Sequence, residues 1–456
     1  MTGNERRPNI VVFFSDQQRA DTIGLYGNEP SITPNLDALG HSGIVFQNAF
    51  TPQPVCGPFR SCLQSGLYPT ETGCFTNQIM LPHNIKTLAD YFYEAGYDCG
   101  YVGKWHLASD GEMEKKPVID FQHSAIPPEY RGGYKGFWRV SDILEFTSHG
   151  YGGYVFDENM KKHVFENYRC DAITEYGLEY LDQIPSDRPF FLTISHIESH
   201  HQNDRNHYEG PDGSKERFRG CHIPEDLTSI PGGDYEAEYP DYLGQVASLD
   251  ENLGRVIAKL KALGVYDDTV VVYLSDHGSH FRTRNRDENL CGYDDYKRTG
   301  HDAALKVPLV IGGGAVKDHI EVKDLVSTAG MAKTLIAIAG VDVGDKMIGE
   351  NLLDVAHGKL CNRKNEVFAQ ISESRVGRVL RTERYLLGVV AKGLYGGKYK
   401  DSDEYEVDYF YDMESDPYQL DDVKDKPEYH SIIRELSDEL ERVIYKEEHK
   451  KSKIMF

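Results

Sequence analysis

No stretch of the 456 residues is long and apolar enough to cross a bilayer, which argues against a helical membrane protein and against a membrane partner. No internal repeat and no low-complexity tract occurs, so neither a solenoid nor a disordered array is indicated. Basic residues are outnumbered, 50 against 73 acidic, and the formal net charge is −23. That balance argues against nucleic-acid binding, which needs a basic face. An anionic substrate would need positive potential concentrated in a pocket, not spread over the surface. The eight cysteines (56, 62, 74, 99, 170, 221, 291 and 361) include no CxxC pair, so redox and zinc-ribbon motifs are absent. Spacing leaves disulfides open, and a mostly reduced, buried set is expected. The first eight residues run into a strand without the apolar core of a signal peptide, so the chain as written is expected to be cytoplasmic, unless a leader was removed.

What is present is globular: 39% hydrophobic and 11% aromatic residues. The length suits one large α/β domain, expected over 1–360, and a smaller one over 361–456. Continuous apolar runs at 9–15, 190–195, 269–274 and 307–311 read as strands buried on both faces of a large, mostly parallel or mixed sheet. Further strands are expected at 43–46 and 97–102, with helices at 33–39, 87–95, 170–184, 242–263 and 325–339. Residues 108–170, rich in Gly, Tyr and charge, read as long loops. After about residue 365, short strands at 366–372, 379–381, 385–390 and 405–411 and a helix at 429–446 suggest a small antiparallel sheet with a terminal helix.

Several strand ends carry chemistry, where ligands gather in open α/β sheets. Strand 9–15 ends in Asp16-Gln17, and strand 269–274 leads into Asp276-His277. These four could converge on one cation, although Asp16 could equally cap the following segment. Carboxylate and amide oxygens with one imidazole suit Ca²⁺, Mn²⁺ or Mg²⁺ comparably. Lys104 and His106, two apart at a strand end, share a face on an extended segment. His196, His200 and His201 follow strand 190–195, and acid–base work fits them better than zinc, for which no compatible cluster follows. Arg282, Arg284 and Arg286 alternate, so an extended loop would present them together to an anion or, equally, to solvent. Lys297 and His301 precede the strand at 307–311.

One stretch organises the rest: Cys56-Gly57-Pro58-Phe59-Arg60, with Gly66 ten residues after the cysteine and then Tyr68-Pro69-Thr70. Pro58 pushes Gly57 out of the helical region, so a sharp turn is expected after Cys56, with a helix following Arg60. Residue 56 and Arg60 would then sit at a helix N-terminus, which favours an anion. The pattern resembles the signature of the type I, formylglycine-dependent sulfatases of the alkaline-phosphatase-like superfamily. It departs from it at Phe59, where Ser or Ala is commoner, and at Leu67, often Arg.

The resemblance extends to Gly103-Lys104-Trp105-His106 and to Lys297 ahead of Val307-Pro308-Leu309. Ser199-His200 stands where the family has Pro-His, which carries the family's acid histidine onto His200. It implies that a maturation enzyme oxidises Cys56 to Cα-formylglycine, whose hydrate attacks sulfur. One divalent cation, Ca²⁺ in most of the family with Mn²⁺ or Mg²⁺ as alternatives, would bind Asp16, Gln17, Asp276, His277 and residue 56. Arg60, Lys104 and Lys297 would clamp the sulfate, Asp276 accept the nucleophile's proton, His200 protonate the leaving alcohol, and His106 help expel sulfate. His201, Arg282, Arg284 and His301 are candidates for substrate contact. The implied activity is release of sulfate from a carbohydrate of glycosaminoglycan or mucin type. The alternatives are an aryl sulfate, a phosphonate or phosphate ester, an unmodified thiol nucleophile, or a non-catalytic anion-binding protein.

Overall fold

The computed structural model describes residues 7–113, 115–284 and 296–456. Eleven strands form the main sheet: β1 (Asn9–Ser15), β2 (Ile44–Phe50), β3 (Asp98–Lys104), β4 (Trp138–Ser141), β5 (Tyr151–Asp157), β6 (Lys162–Tyr168), β7 (Phe190–Ser195), β8 (Thr269–Ser275), β9 (Lys306–Val307), β10 (Leu309–Gly312) and β11 (Ile320–Ser327). Their order is β11-β2-β10-β8-β1-β7-β3-β4-β5-β6, with β9 paired to β2. The four central strands, β8, β1, β7 and β3, are parallel, and β10 and β5, which run against them, make the sheet mixed.

Every residue of β1, β7 and β8 is buried, as a strand covered on both faces requires. One face of the sheet packs against helices Cys56–Ser65, Leu88–Glu94 and Met331–Ile338 through Phe59, Leu63, Phe92 and Leu335. The other packs against Arg169–Leu181 and the long helix Tyr235–Ala262 through Ile173, Leu249, Leu253 and Val256. Each such side chain contributes about 1.5–3 kcal/mol of burial. The second sheet, β12 (Glu366–Ile371), β13 (Gly377–Thr382), β14 (Tyr385–Val390), β15 (Glu404–Asp412) and β16 (Lys453–Met455), is covered by helix His430–Glu448. That layer reaches the main domain at Cys62 and Tyr68, on and just past the Cys56 helix.

Four expectations are corrected. The segment 108–170 is not merely loop: it supplies β4–β6, which extend the sheet edge. Leu325 and Val326 belong to β11, pairing with Asn48 and Ala49 of β2, and the helix starts only at Met331. The fifth strand of the small sheet, β16, runs parallel to β15. The Cys56 helix begins at Cys56 itself, with Pro58 third in its first turn. Pro58 is tolerated there because the first N–H groups of a helix have no internal partner.

Candidate active site

The register of the central strands builds the site. Ser15 of β1 lies beside Ser275 of β8, so Asp16 and Asp276 leave the sheet side by side. Gly103 of β3 lies beside Ser195 of β7, bringing Lys104 to the same edge. Gln17 takes a left-handed backbone (φ 62°), its N–H donating to Asp276 Oδ1 at 3.0 Å. Its amide donates from Nε2 to the Tyr208 hydroxyl at 2.7 Å, leaving Oε1 buried without a hydrogen-bond partner. His277 Nδ1 lies 2.9 Å from the Gly278 carbonyl, which makes Nδ1 the donor and leaves the Nε2 lone pair facing inward. That Nε2 is 3.3 Å from Cys56 Sγ and 3.6 Å from both Asp16 Oδ1 and Asp276 Oδ1.

Extended Val55 places Cys56 as the first helical residue, and the Gly57 N–H donates to Asn77 Oδ1 at 2.8 Å. Arg60, one turn on, lies over the Phe14 ring. It donates to the Lys104 carbonyl and Ser195 Oγ, both at 2.8 Å, and to Asp16 Oδ2 at 3.1 Å. Lys104 Nζ donates to Asp16 Oδ2 at 2.9 Å. From the opposite side Lys297 Nζ reaches Cys56 Sγ at 3.1 Å and His200 Nε2 at 2.8 Å. Thus Asp16, Gln17, Cys56, Arg60, Lys104, His200, Asp276, His277 and Lys297 share one buried pocket. His106 adjoins it: a Cβ on Gly57 would stand 3.4 Å from the His106 carbonyl, and His106 Nδ1 is buried without a hydrogen-bond partner.

Charge crowding sets the protonation states. Burial pushes Asp16 up, but Lys104, His200 and Arg60 together hold it well below the usual carboxylate range. Asp276 is pushed up to about 7 by burial and by the Asp16 charge. Burial and Asp16 raise the Cys56 thiol; Lys104, Lys297 and His277 outweigh them and bring it down to about 7. Burial, then Lys297, holds His200 well below an ordinary histidine, and burial with Lys104 lowers His106 to about 3.

The remaining candidates lie elsewhere. His201 Nδ1 meets Asn203 Oδ1 at 3.1 Å, and its ring packs on Tyr296 and Tyr208. Phe281 and Arg282 both adopt positive φ (46° and 61°), so the chain turns there and is not extended. Arg282 meets Asn206 Oδ1, whereas Arg284 donates to the carbonyls of Tyr418 and Gln419 in the C-terminal region, each at 2.7 Å. His301 contacts Thr299 and Tyr411 and stacks on Tyr409 of β15. Arg286 falls outside the described residues. Two neighbours were not singled out from sequence: Asn77 and Glu145, the latter 3.6 Å from Lys104 Nζ and 3.4 Å from His200 Nδ1. The strand-end rule could not find them, because they enter from loops and short helices.

Oxygen, nitrogen and sulfur atoms of Asp16, Cys56, Asp276 and His277 lie within 4.8 Å of one another. Gln17 Oε1 and Asp276 Oδ2, both buried without a hydrogen-bond partner, the latter 3.8 Å from Arg60, add oxygen donors. Two crowded carboxylates form a donor set whose charge a divalent cation would balance. A second group, Cys170, His196 and Glu198, is also close-set. There the Glu198 charge is matched by Arg169 Nε at 2.9 Å.

A divalent-cation donor set, a reactive residue at a helix start and three cations around it define an ester hydrolase acting on a tetrahedral oxyanion. A Sulfatase family profile matches residues 8–341, and a second, described as N-sulphoglucosamine sulphohydrolase, C-terminal, matches 291–446. The chain belongs to the sulfatase family, whose members hydrolyse sulfate esters, within the alkaline-phosphatase-like superfamily. It is 27% identical over 460 residues to an ulvan-active sulfatase of Formosa agariphila, covering 96% of this chain and 81% of that protein. The fold matches a putative sulfatase of Bacteroides fragilis (TM-score 0.79, 22% identity, 98% and 97% of the two chains). It also matches a protein solved with its substrate D-glucosamine-2-N,6-O-disulfate (TM-score 0.74, 20% identity, 98% and 99% covered).

Proposed function

We propose that the protein removes sulfate from a sulfated saccharide, using a formylglycine made from Cys56 and one Ca²⁺ ion. Supporting this most directly, Lys297 Nζ, His277 Nε2 and Asp16 Oδ1 converge on Cys56 Sγ at 3.1, 3.3 and 3.4 Å. Asp16, Gln17, Asp276 and His277 would hold the cation, with residue 56 completing the set. When present, the cation supplies charge neutralisation at the sulfate oxygens, and the aldehyde hydrate supplies a nucleophile that can later expel sulfate.

The side chains do the rest. Arg60, Lys104 and Lys297 grip the sulfate, with Asp16 holding the charges of Arg60 and Lys104 against the opposing effect of burial. Asp276 Oδ2, buried and without a hydrogen-bond partner, takes the proton of the attacking hydroxyl. His200 delivers a proton from Nε2 to the departing alcohol, and His106 accepts one from the remaining hydroxyl as sulfate leaves. Cys56 is only 1% exposed, so a formylglycine-generating enzyme must reach it before this helix packs.

A saccharide is favoured over a simple aryl sulfate by the relatives, one named as ulvan-active and one solved with a glucosamine disulfate. The histidine- and arginine-bearing loops at 200–208 and 281–284 also suit a polar ring. A panel of sulfated saccharides differing in linkage position, read as released sulfate, tests the proposal. Turnover of one linkage well above 4-nitrophenyl sulfate is expected; turnover of the aryl ester alone would contradict the saccharide assignment.

A further inference from the structure

Glu145 lies in the short helix Leu144–Thr147 that follows β4, and it is only 7% exposed. Its position is fixed from two directions. Asn203 Nδ2 donates to Oε1 at 3.2 Å, and the backbone carbonyl accepts from Gln202 Nε2 at 3.0 Å. Oε2 is buried with no hydrogen-bond partner and faces the pocket, 3.4 Å from His200 Nδ1 and 3.6 Å from Lys104 Nζ. Lys104 is engaged by Asp16 at 2.9 Å, but Arg60 shares that oxygen at 3.1 Å, so Glu145 supports the lysine as well as facing His200.

The imidazole of His200 has the greater need of a nearby negative charge. Its Nδ1 lies 2.5 Å from the His201 carbonyl, which makes Nδ1–H the donor and turns Nε2 toward the pocket. On the Nε2 side stands Lys297 Nζ at 2.8 Å, a cation that opposes a proton on that nitrogen. Proton delivery to a leaving oxygen needs the imidazolium, with hydrogens on both nitrogens. Asp16 supplies one charge that favours the imidazolium against Lys297, Lys104 and His277, and Glu145 faces the ring from its Nδ1 edge with a second.

We propose that Glu145 is a positioning residue: it keeps the His200 ring aimed Nε2-first and stabilises its protonated form, so that His200 can protonate the departing oxygen. This rests on the sulfate-ester reading given above. The proton passes from His200 Nε2 to the bridging oxygen as the S–O bond breaks. The imidazole is left neutral, with Nδ1–H still donated to the His201 carbonyl.

The consequence is a dependence on the leaving group. A saccharide alcohol is a poor leaving group and needs the proton; 4-nitrophenolate leaves largely without it. In the metal-loaded, formylglycine-bearing enzyme, Glu145→Gln keeps the shape and the Asn203 contact but removes the charge. It is expected to lower kcat for the saccharide sulfate by about 10²-fold while lowering that for 4-nitrophenyl sulfate several-fold at most. Glu145→Asp, which keeps the charge, should recover part of the loss on the saccharide ester alone. Equal losses on both esters, in either variant, would show that Glu145 acts through sulfate binding or folding and would overturn the proposal. So would unchanged kcat on the saccharide. If the wild-type enzyme turned over neither ester, the hydrolase reading would fall, and this inference with it. Selective failure of the variants leaves that reading standing.

Discussion

Two fully buried polar clusters occupy the same end of strands β1 and β7, and they are built on opposite terms. The Cys56 cluster gathers Asp16, Asp276, Arg60, Lys104, Lys297 and three histidines, and it leaves Gln17 Oε1 and Asp276 Oδ2 without hydrogen-bond partners. In the other cluster, behind it, the charge of Glu198 meets that of Arg169, which also donates to Gln202 Oε1 at 3.1 Å. There His196 lies between Cys170 Sγ (3.6 Å) and Thr174 Oγ1 (3.4 Å) and is held neutral, at about 3, by burial and then by Arg169. The two clusters touch, since the Asp16 N–H donates to the Glu198 carbonyl at 3.0 Å. Depth of burial therefore does not separate a reactive site from a structural one. Glu198 Oε2 also lacks a hydrogen-bond partner, so what separates them is charge: the rear carboxylate is matched by Arg169, whereas the front cluster sets Asp16 and Asp276 against each other.

That contrast predicts opposite outcomes for substitutions a few ångströms apart. Cys56→Ala should abolish sulfate release, by about 10⁴-fold or more, because the nucleophile's precursor is gone. Its denaturation midpoint should match or exceed the wild type, and a marked stability loss would show that the front cluster is structural after all. Arg169→Met should do the reverse, since it strands the Glu198 carboxylate. An unfolding free energy lower by about 3–5 kcal/mol is expected in urea, with the folded fraction keeping most of its turnover.

Removing the cation lies between these extremes. Chelation followed by gel filtration should abolish activity reversibly and lower stability by an amount that grows with the metal concentration restored, about 2.7 kcal/mol at a hundred times Kd. A melting temperature indifferent to Ca²⁺, Mn²⁺ and Mg²⁺ would contradict the metal assignment. The smallest effect concerns pH. His196 has a folded value of about 3 against 6.5 unfolded, so the unfolded chain binds more protons between those values. The stability it confers is complete above pH 6.5 and is lost as pH falls toward 3, by up to about 1.4 kcal/mol per unit. His196→Asn should flatten the acid limb of the stability curve, and an unchanged slope would show that other groups set it.

Much of this arrangement is legible in the sequence because the central strands are continuous apolar runs whose ends announce themselves. Asp16-Gln17, Lys104 and Asp276-His277 each follow such a run, and parallel pairing in near-equal register leaves no place for them but one edge of the sheet. The same reasoning misses β5 and β6, which lie at the sheet margin with several exposed residues and glycines in place of an apolar run. It also misses Glu145 and Asn77, whose roles come from tertiary approach and not from spacing. The arginine alternation at 282–286 suggested an extended face; the chain turns at Phe281 and Arg282, and Arg286 lies outside the described residues. Arg284 then serves the contact with the C-terminal region.

The central claim is that this pocket is shaped around a sulfate monoester. The most direct test compares kcat/KM for 4-nitrophenyl sulfate and a 4-nitrophenyl phosphonate on the same metal-loaded, formylglycine-bearing preparation, the shared leaving group isolating the oxyanion. The account predicts that the sulfate is preferred by at least about tenfold, or 1.4 kcal/mol at the transition state. A clear preference for the phosphonate would contradict it.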